Sequence, residues 1–443
     1  MKSFLFSIIL LTVSTLTYSQ SPWNLTQCIE YALENNIQVK QQELNVKMSE
    51  NQLKQAKYSA FPNLNASANH NYSFGRAIDY GSNIVSQDLE ATSFSINSSV
   101  SLFNGFQIAN TKKQEQLNLS AALSDVEKLK NNIALNIAAA YLQILFNEEM
   151  LETAESQKEL TLLQVERTRQ LVRAGSLPER NLLEIEAQLA SDEMQIVNAQ
   201  NQLELSYLTL TQLLEIKTPE GFTILKPDLS DFSEEIPADS PLNVFEQAQQ
   251  ILPQIQGATL RLQSAQKNVD IAEGGKYPRL SLSTSYSSGA RRYLKGNPLG
   301  ADDPFMEQIR DNTSATIGLS MSIPIFNGWQ VQSSISSAKI NLENAQLNLE
   351  LEKNALYKDI QQAYADAMAA QKKYDATEKN VDALQETFRS AEQQFNIGLV
   401  NSVEYTTSKT RLNQAQADLI SAKYEFIFKS KILEFYQGQP LNL

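Results

Sequence analysis

Four segments of the chain alternate between apolar and small polar residues with period two, the pattern of strands with one apolar side and one wet side. In the first, Leu64, Ala66, Ala68, Tyr72 and Phe74 oppose Asn63, Asn65, Ser67, Asn69, Asn71 and Ser73. In the second, Phe94, Ile96, Val100 and Leu102 oppose Ser93, Ser95, Asn97, Ser99 and Ser101. In the third, Leu280, Leu282 and Tyr286 oppose Ser281, Ser283, Ser285 and Ser287; in the fourth, Ala315, Ile317, Leu319, Met321 and Ile323 oppose Ser314, Thr316, Gly318, Ser320 and Ser322. Strands are therefore expected near residues 62–75, 91–103, 278–288 and 313–326. Each is about ten residues long, the length of a tilted strand across a bilayer. A soluble half-buried sheet alternates too. The polar sides here, however, are Ser, Asn and Thr rather than Lys and Glu, which suits a water-filled barrel lumen. Tyr72, Phe74 and Phe103 sit near strand ends, where aromatic girdles belong, and His70 interrupts the apolar side of the first strand.

Elsewhere the period lengthens. Residues 106–173 and 329–396 contain neither Pro nor Gly. In the second of these, Ile335, Ala338, Leu342, Ala345, Leu349, Leu356, Ile360, Ala363, Ala367, Ala370 and Tyr374 advance mostly in alternating steps of 3 and 4. That is a heptad seam, so the helices pack in coiled-coil fashion. Leu412, Ala415, Leu419, Ala422 and Phe426 continue it. Helices are expected near 37–59, 106–173, 179–216, 254–274, 329–396 and 402–436. The long one from 106 to 173 spans about 100 Å at the α-helical rise, and the two shorter helices of the same half span roughly 90 Å end to end.

The pattern occurs twice. Ser101-Leu102-Phe103-Asn104-Gly105-Phe106 recurs as Pro324-Ile325-Phe326-Asn327-Gly328-Trp329, and Arg173-Ala174-Gly175-Ser176-Leu177 as Asn396-Ile397-Gly398-Leu399-Val400. Gly105 to Gly328 and Gly175 to Gly398 are the same offset, 223 residues. Phe61-Pro62 similarly reappears as Tyr277-Pro278. The chain thus divides into repeats at 20–216 and 254–443, joined by a Pro- and acid-rich segment, 217–253, that reads as irregular. Loops are expected over 75–90 and 289–312, between the strands of each pair. The expected fold class is mainly α with a membrane β-sheet, four strands per chain. Four strands cannot close a barrel, and an open sheet edge is not tolerated in lipid, so the chain must oligomerise; three copies supply twelve strands.

The N-terminus reads as a secretory signal at 1–19: Lys2, an apolar run from Phe4 to Val13, and a cleavage site at Thr17-Tyr18-Ser19. A net charge of −13 argues against nucleic acid as a partner. One His (His70) and one Cys (Cys28) exclude the usual His-based triads and Cys/His metal sites, so neither an enzyme nor a cofactor is expected. Gly274-Gly275 reads as a helix stop rather than a phosphate loop.

With the duplicated strand-pair-plus-long-helix unit, the Asn104-Gly105 and Asn327-Gly328 junctions and the Gly175 and Gly398 turns, the chain resembles the TolC-like outer membrane efflux proteins over nearly its whole mature length. The resemblance implies a homotrimer with a twelve-stranded barrel in outer membrane lipid and a helical tunnel in the periplasm. It also implies a passive exit duct coupled to an inner-membrane transporter through a periplasmic adaptor. The adaptor would meet the tips Ala174, Gly175, Ser176 and Leu177, and Ile397, Gly398, Leu399 and Val400. The same likeness makes Glu404 a candidate for an acidic ring at the tunnel aperture. The chain departs from the family pattern at Thr407, where a second acid is common, at Asn181 in the matching position of the first repeat, and at Val400, which replaces a basic residue used in closing links. Packing of Phe395 is the candidate substitute for those links. A free-standing porin and a secreted structural coiled-coil protein are the alternatives.

Overall fold

The computed structural model describes residues 22–78, 84–86, 88–217, 221–227, 240–294 and 302–442; the expected signal at 1–19 lies outside them. In chain order the elements are α1 (Leu25–Asn35), α2 (Ile37–Tyr58), β1 (Asn63–Ser73), β2 (Arg76–Ile78), β3 (Ile84–Ser86), β4 (Leu89–Phe103), α3 (Gln107–Arg173), α4 (Glu179–Leu213), α5 (Pro241–Ile251), α6 (Pro253–Gly274), β5 (Arg279–Tyr293), α7 (Phe305–Asp311), β6 (Ser314–Ser322), α8 (Gln330–Asn396) and α9 (Ser402–Tyr436). Two compact units result. One, Gln42–Glu127 with Leu252–Ala355, holds the sheet; the other, reaching to Gln41 and including Lys128–Ile251 and Leu356 onward, is helical. Helices α3 and α8 contribute to both.

In the sheet unit the four long strands pair in the order β1-β4-β5-β6, all antiparallel. The four sequence alternations fall into register. Ser67, Ser95, Ser287 and Ser314 share one row, and Asn65, Asn97, Ser285 and Thr316 share another. Ala66, Ile96, Tyr286 and Ala315 form a row of the opposite face. One face is thus mainly apolar, with Ser98, Thr284 and Ser288 interrupting it, and the other mainly Ser/Asn/Thr, and a slip of one residue in any strand would exchange them. His70 sits on the apolar face, but its Nδ1 lies 2.8 Å from Thr92 Oγ1, and its Nε2 is 3.7 Å from Glu90 Oε1. Glu90 also pairs with Arg292 across the next ladder. The His is therefore part of a polar corner at one end of the face.

Several expectations need correction. The N-terminal region carries α1 ahead of α2; Asn36 divides them, its Oδ1 accepting from Gln38 N (2.8 Å) and Val39 N (3.3 Å). The joining segment is not irregular throughout, because Pro241 opens α5 and Pro253 opens α6. Proline at a first helical position removes an N–H that has no helical partner anyway. Strand β5 runs on to Tyr293, paired with β4, and the two expected loops contain the β2–β3 hairpin and α7. Strand β6 stops at Ser322, just before Pro324.

The helical unit has one large core. Leu25, Cys28 and Ala32 of α1, Ile137, Tyr141, Ile144 and Leu145 of α3, Leu210 of α4 and Ile427 of α9 are almost fully buried there. Tyr141 donates to the carbonyls of Trp23 (3.2 Å) and Leu225, tying the N-terminal segment to the joining one. Burial pushes the Cys28 thiol up to about 12. On α8 the heptad positions Leu356, Ile360, Ala363, Ala367 and Ala370 are buried.

At the strand–helix junctions, Gly105 and Phe106 have φ of 68° and 63°, and Gly328 and Trp329 have 61° and 71°. Asn104 O and Asn327 O accept from the N–H three residues on, which gives a tight turn with two left-handed positions. Only the first junction is also packed: a Cβ on Gly105 would run into Gly274 O, whereas among the described residues nothing lies within 4 Å of one on Gly328. Gly105→Ala should therefore lower the melting temperature clearly more than Gly328→Ala, whose cost is the left-handed backbone alone, about 1 kcal/mol. Equal shifts in a circular-dichroism melt would refute the packing account.

Candidate functional site

The two tips are built alike. In each, five residues separate the helices: 174–178 between α3 and α4, and 397–401 between α8 and α9. Ser176 N donates to Leu171 O and Leu399 N to Gln394 O, both at 2.9 Å; Gly175 N donates to Val172 O (2.9 Å) and Gly398 N to Phe395 O (3.1 Å). These are the paired bonds of a Schellman cap, whose left-handed position takes Gly175 (φ 74°) and Gly398 (φ 76°). Ala174, Ser176, Ile397 and Leu399 are exposed; Leu177 and Val400 are half-buried. The next helices start differently. Asn401 caps α9 by accepting from Glu404 N (2.9 Å), whereas Pro178 precedes α4 with no side-chain cap.

Behind the tips the candidate aperture residues separate. Glu404 is exposed in the first turn of α9, and Asn181 is half-buried in α4. Phe395 is only 2% exposed and stacks on Tyr405, centroid to centroid 4.9 Å. Val165 of α3 and Ile185 of α4 complete that cluster, and Val400 packs against it. All four helices thus meet in one apolar knot, which accounts for an apolar residue at 400. A polar tie lies beside it. Ser402 Oγ donates to Glu184, and Arg180 Nε lies 2.8 Å from the other Glu184 oxygen. The Ser402 hydrogen bond, then Arg180, holds the Glu184 carboxyl below its ordinary pKa.

Further along, the buried edge of α3 turns polar. Gln157, Thr161, Gln164 and Thr168 keep the heptad steps but not the heptad chemistry, and each is buried. Gln157 Oε1, Gln164 Nε2 and Thr168 Oγ1 find no hydrogen-bond partner among the described residues. Facing them, Asp192 of α4 (1% exposed side chain) and Lys409 of α9 (5%) stand 3.7 Å apart, bridged by Thr161. Gln188 Nε2 donates to the second Asp192 oxygen at 2.7 Å. Burial lowers the Lys409 pKa, opposed by Asp192 and then Glu392. Asp192, Lys409, Glu184 and Ser402 were not singled out from the sequence. The signal was there in the unbroken 3–4 spacing of Gln157, Thr161, Gln164 and Thr168, which an apolar filter passes over.

Residues 28–215 and 244–437 match a family model described as outer membrane efflux protein. Outer membrane protein TolC of Escherichia coli (strain K12) is 24% identical over 437 residues, covering 96% of this chain and 84% of that protein. Among solved structures, the outer membrane protein VceC of Vibrio cholerae aligns with a TM-score of 0.74 at 18% identity over 94% of this chain and 97% of that one. The open-state MtrE outer membrane channel of Neisseria gonorrhoeae aligns with a TM-score of 0.72 at 19% identity, covering 95% and 90%.

Asp192→Asn is expected to destabilise the protein by about 3–5 kcal/mol, because it leaves a buried ammonium uncompensated. Asp192→Leu with Lys409→Met should recover most of that loss. Since the folded Lys409 pKa lies below its ordinary 10.5, the folded chain binds fewer protons than the unfolded one between the two values. Stability attributable to this site therefore rises with pH in that window, and Lys409→Met should flatten the rise. Chemical denaturation across pH checks all three; an Asp192→Asn protein as stable as wild type would overturn the account.

Proposed function

The chain belongs to the outer membrane efflux protein family, and on that premise we propose that three copies close a single twelve-stranded barrel. The trimer serves as the passive exit duct of a tripartite efflux or secretion assembly. The observation that carries this reading is the sheet's two open edges. Strands β1 and β6 bound it, run in opposite directions, and share one mainly apolar face between them. In lipid those edges must be paired. Because their directions are opposed, β6 of one copy meets β1 of the next in the same antiparallel pattern as every pair within the chain. The Ser/Asn/Thr face then lines the lumen.

The register of that joint follows from the faces. Matching apolar to apolar, with strands of 11 and 9 residues set flush, sets Ala68 opposite Leu319 of the next copy, with Ile317 or Met321 one step either way. The helical tips would receive a periplasmic adaptor, through which an inner-membrane transporter delivers cargo. The exposed apolar Ile397 and Leu399 support that use. Three copies of Glu404 would ring the aperture and favour cations. The closed aperture would be held by the Phe395 knot and by the Ser402–Glu184–Arg180 tie.

Two outcomes test this. Cysteine pairs at Ala68 with Ile317, Leu319 or Met321 should give covalent dimers and trimers on oxidation. Native Cys28 is buried with a raised pKa and should stay inert. A detergent-corrected native mass of one chain, with none of these pairs cross-linking, would remove the shared barrel. Separately, Glu184→Gln should raise the conductance of the isolated channel in planar bilayers. Acid should act the same way on wild type, since a tie made by a carboxylate of lowered pKa persists above its usual titration range and is lost as pH falls through the lowered value. Unchanged conductance in Glu184→Gln would discard the tie as a closing element.

A further inference from the structure

Strands β5 and β6 do not end level. Strand β5 is paired with β4 as far as Tyr293, but its pairing with β6 stops at Ser287 opposite Ser314. Beyond that row the edge of β5 faces no strand among the described residues, and the segment around α7 takes the partner's part. Arg291 N donates to Gln308 Oε1 (2.9 Å) and Tyr293 N to Asp302 Oδ2 (3.0 Å), while Gly289 O accepts from Asn312 Nδ2 (3.0 Å). Ser288 Oγ adds a bond to Ile309 O. These three backbone positions, 289, 291 and 293, are the alternate ones whose polar groups point away from β4. Helix α7 with its flanks thus replaces β6 in the wall by supplying side chains where a strand would supply backbone.

A strand has two edges, and so does its replacement. One side of α7 is spent on β5. Phe305, one turn before Gln308, stays on that side and borders the hollow lined by Glu90, Thr92 and Arg291; the other shows Met306, 72% exposed, with the exposed Glu307 beside it. In the closed barrel the flank of β6 belongs to β1 of the next copy. With 9 and 11 residues, the two strands end within two residues of each other. The residues after Ser73 then come level with α7. Phe74 is 74% exposed and Arg76 is exposed as well. An aromatic and a cation are therefore presented to a methionine and a carboxylate.

We propose that α7 is an intersubunit contact: its Met306 and Glu307 seat Phe74 and Arg76 of the neighbouring copy, extending the joint beyond the last strand pairing. The occupant is a second copy of this chain, and the inference rests on the trimeric reading above.

The test is oxidative cross-linking of the full-length protein in membranes, with the pairs Phe74→Cys/Met306→Cys and Arg76→Cys/Met306→Cys run beside Ala68→Cys/Leu319→Cys. A covalent ladder up to trimer from either α7 pair supports the contact. Cross-linking by the strand pair with neither α7 pair reacting overturns it, leaving that side of α7 to lipid, while the trimer stands. Failure of all three, with a native mass of one chain, overturns the trimer and this contact with it. A second measurement avoids engineered thiols. Met306→Ser with Glu307→Gln should lower the temperature at which the extracted oligomer dissociates without altering the melting of the helices, and an unchanged dissociation temperature counts against the contact.

Discussion

Everything in the sheet unit follows from one constraint: a backbone N–H or C=O facing hydrocarbon has to find a partner in protein. Four strands satisfy each other only inwardly, so β1 and β6 carry the unmet groups. The same constraint acts at smaller scale where β6 stops short of β5, and the chain answers it with Gln308, Asp302 and Asn312. The alternation of faces is then the means of putting apolar side chains against lipid while keeping the ladder regular. Serine suits the wet side because a hydroxyl both donates and accepts. Ser67 with Ser95 and Ser281 with Ser320 bond across the ladders at 2.8 Å and need no charge to be satisfied.

What could be read from the sequence is what periodicity encodes. Period two gave the four strands and their faces, because in a sheet one neighbour's register fixes the next. The heptad steps of α8 gave its buried side, since Ile335, Ala338, Leu356 and Ile360 have no other way to leave water. The misses share a cause. α5 lay in a stretch judged by its prolines, yet Pro241 and Pro253 begin helices rather than forbid them. α7 is 7 residues long, too short to show a period. The pairing of Asp192 with Lys409 joins residues 217 positions apart, and nothing local in either helix announces the other.

The two halves began as equals and have diverged where their helices meet. At the repeat offset, Thr161 corresponds to Leu384, Asp192 to Ala415 and Lys409 to Glu186. Leu384, Val381, Leu412 and Ala415 form an apolar cluster within the second hairpin, of the kind a heptad seam makes by default. The first hairpin gave up that default for Gln157, Thr161, Gln164 and Thr168, and set a buried carboxylate against a buried ammonium from the second. Such a joint gains little net free energy, because desolvation of both ions offsets most of their attraction. It does fix register, since among the described residues Lys409 is the one ammonium within salt-bridge reach of Asp192, and any slide along the helix strands both charges. Apolar seams tolerate sliding by a turn; this one does not. The first hairpin is therefore joined to the second by discrete polar ties and one aromatic knot, each of which is either made or broken, rather than by a continuous apolar contact that yields gradually.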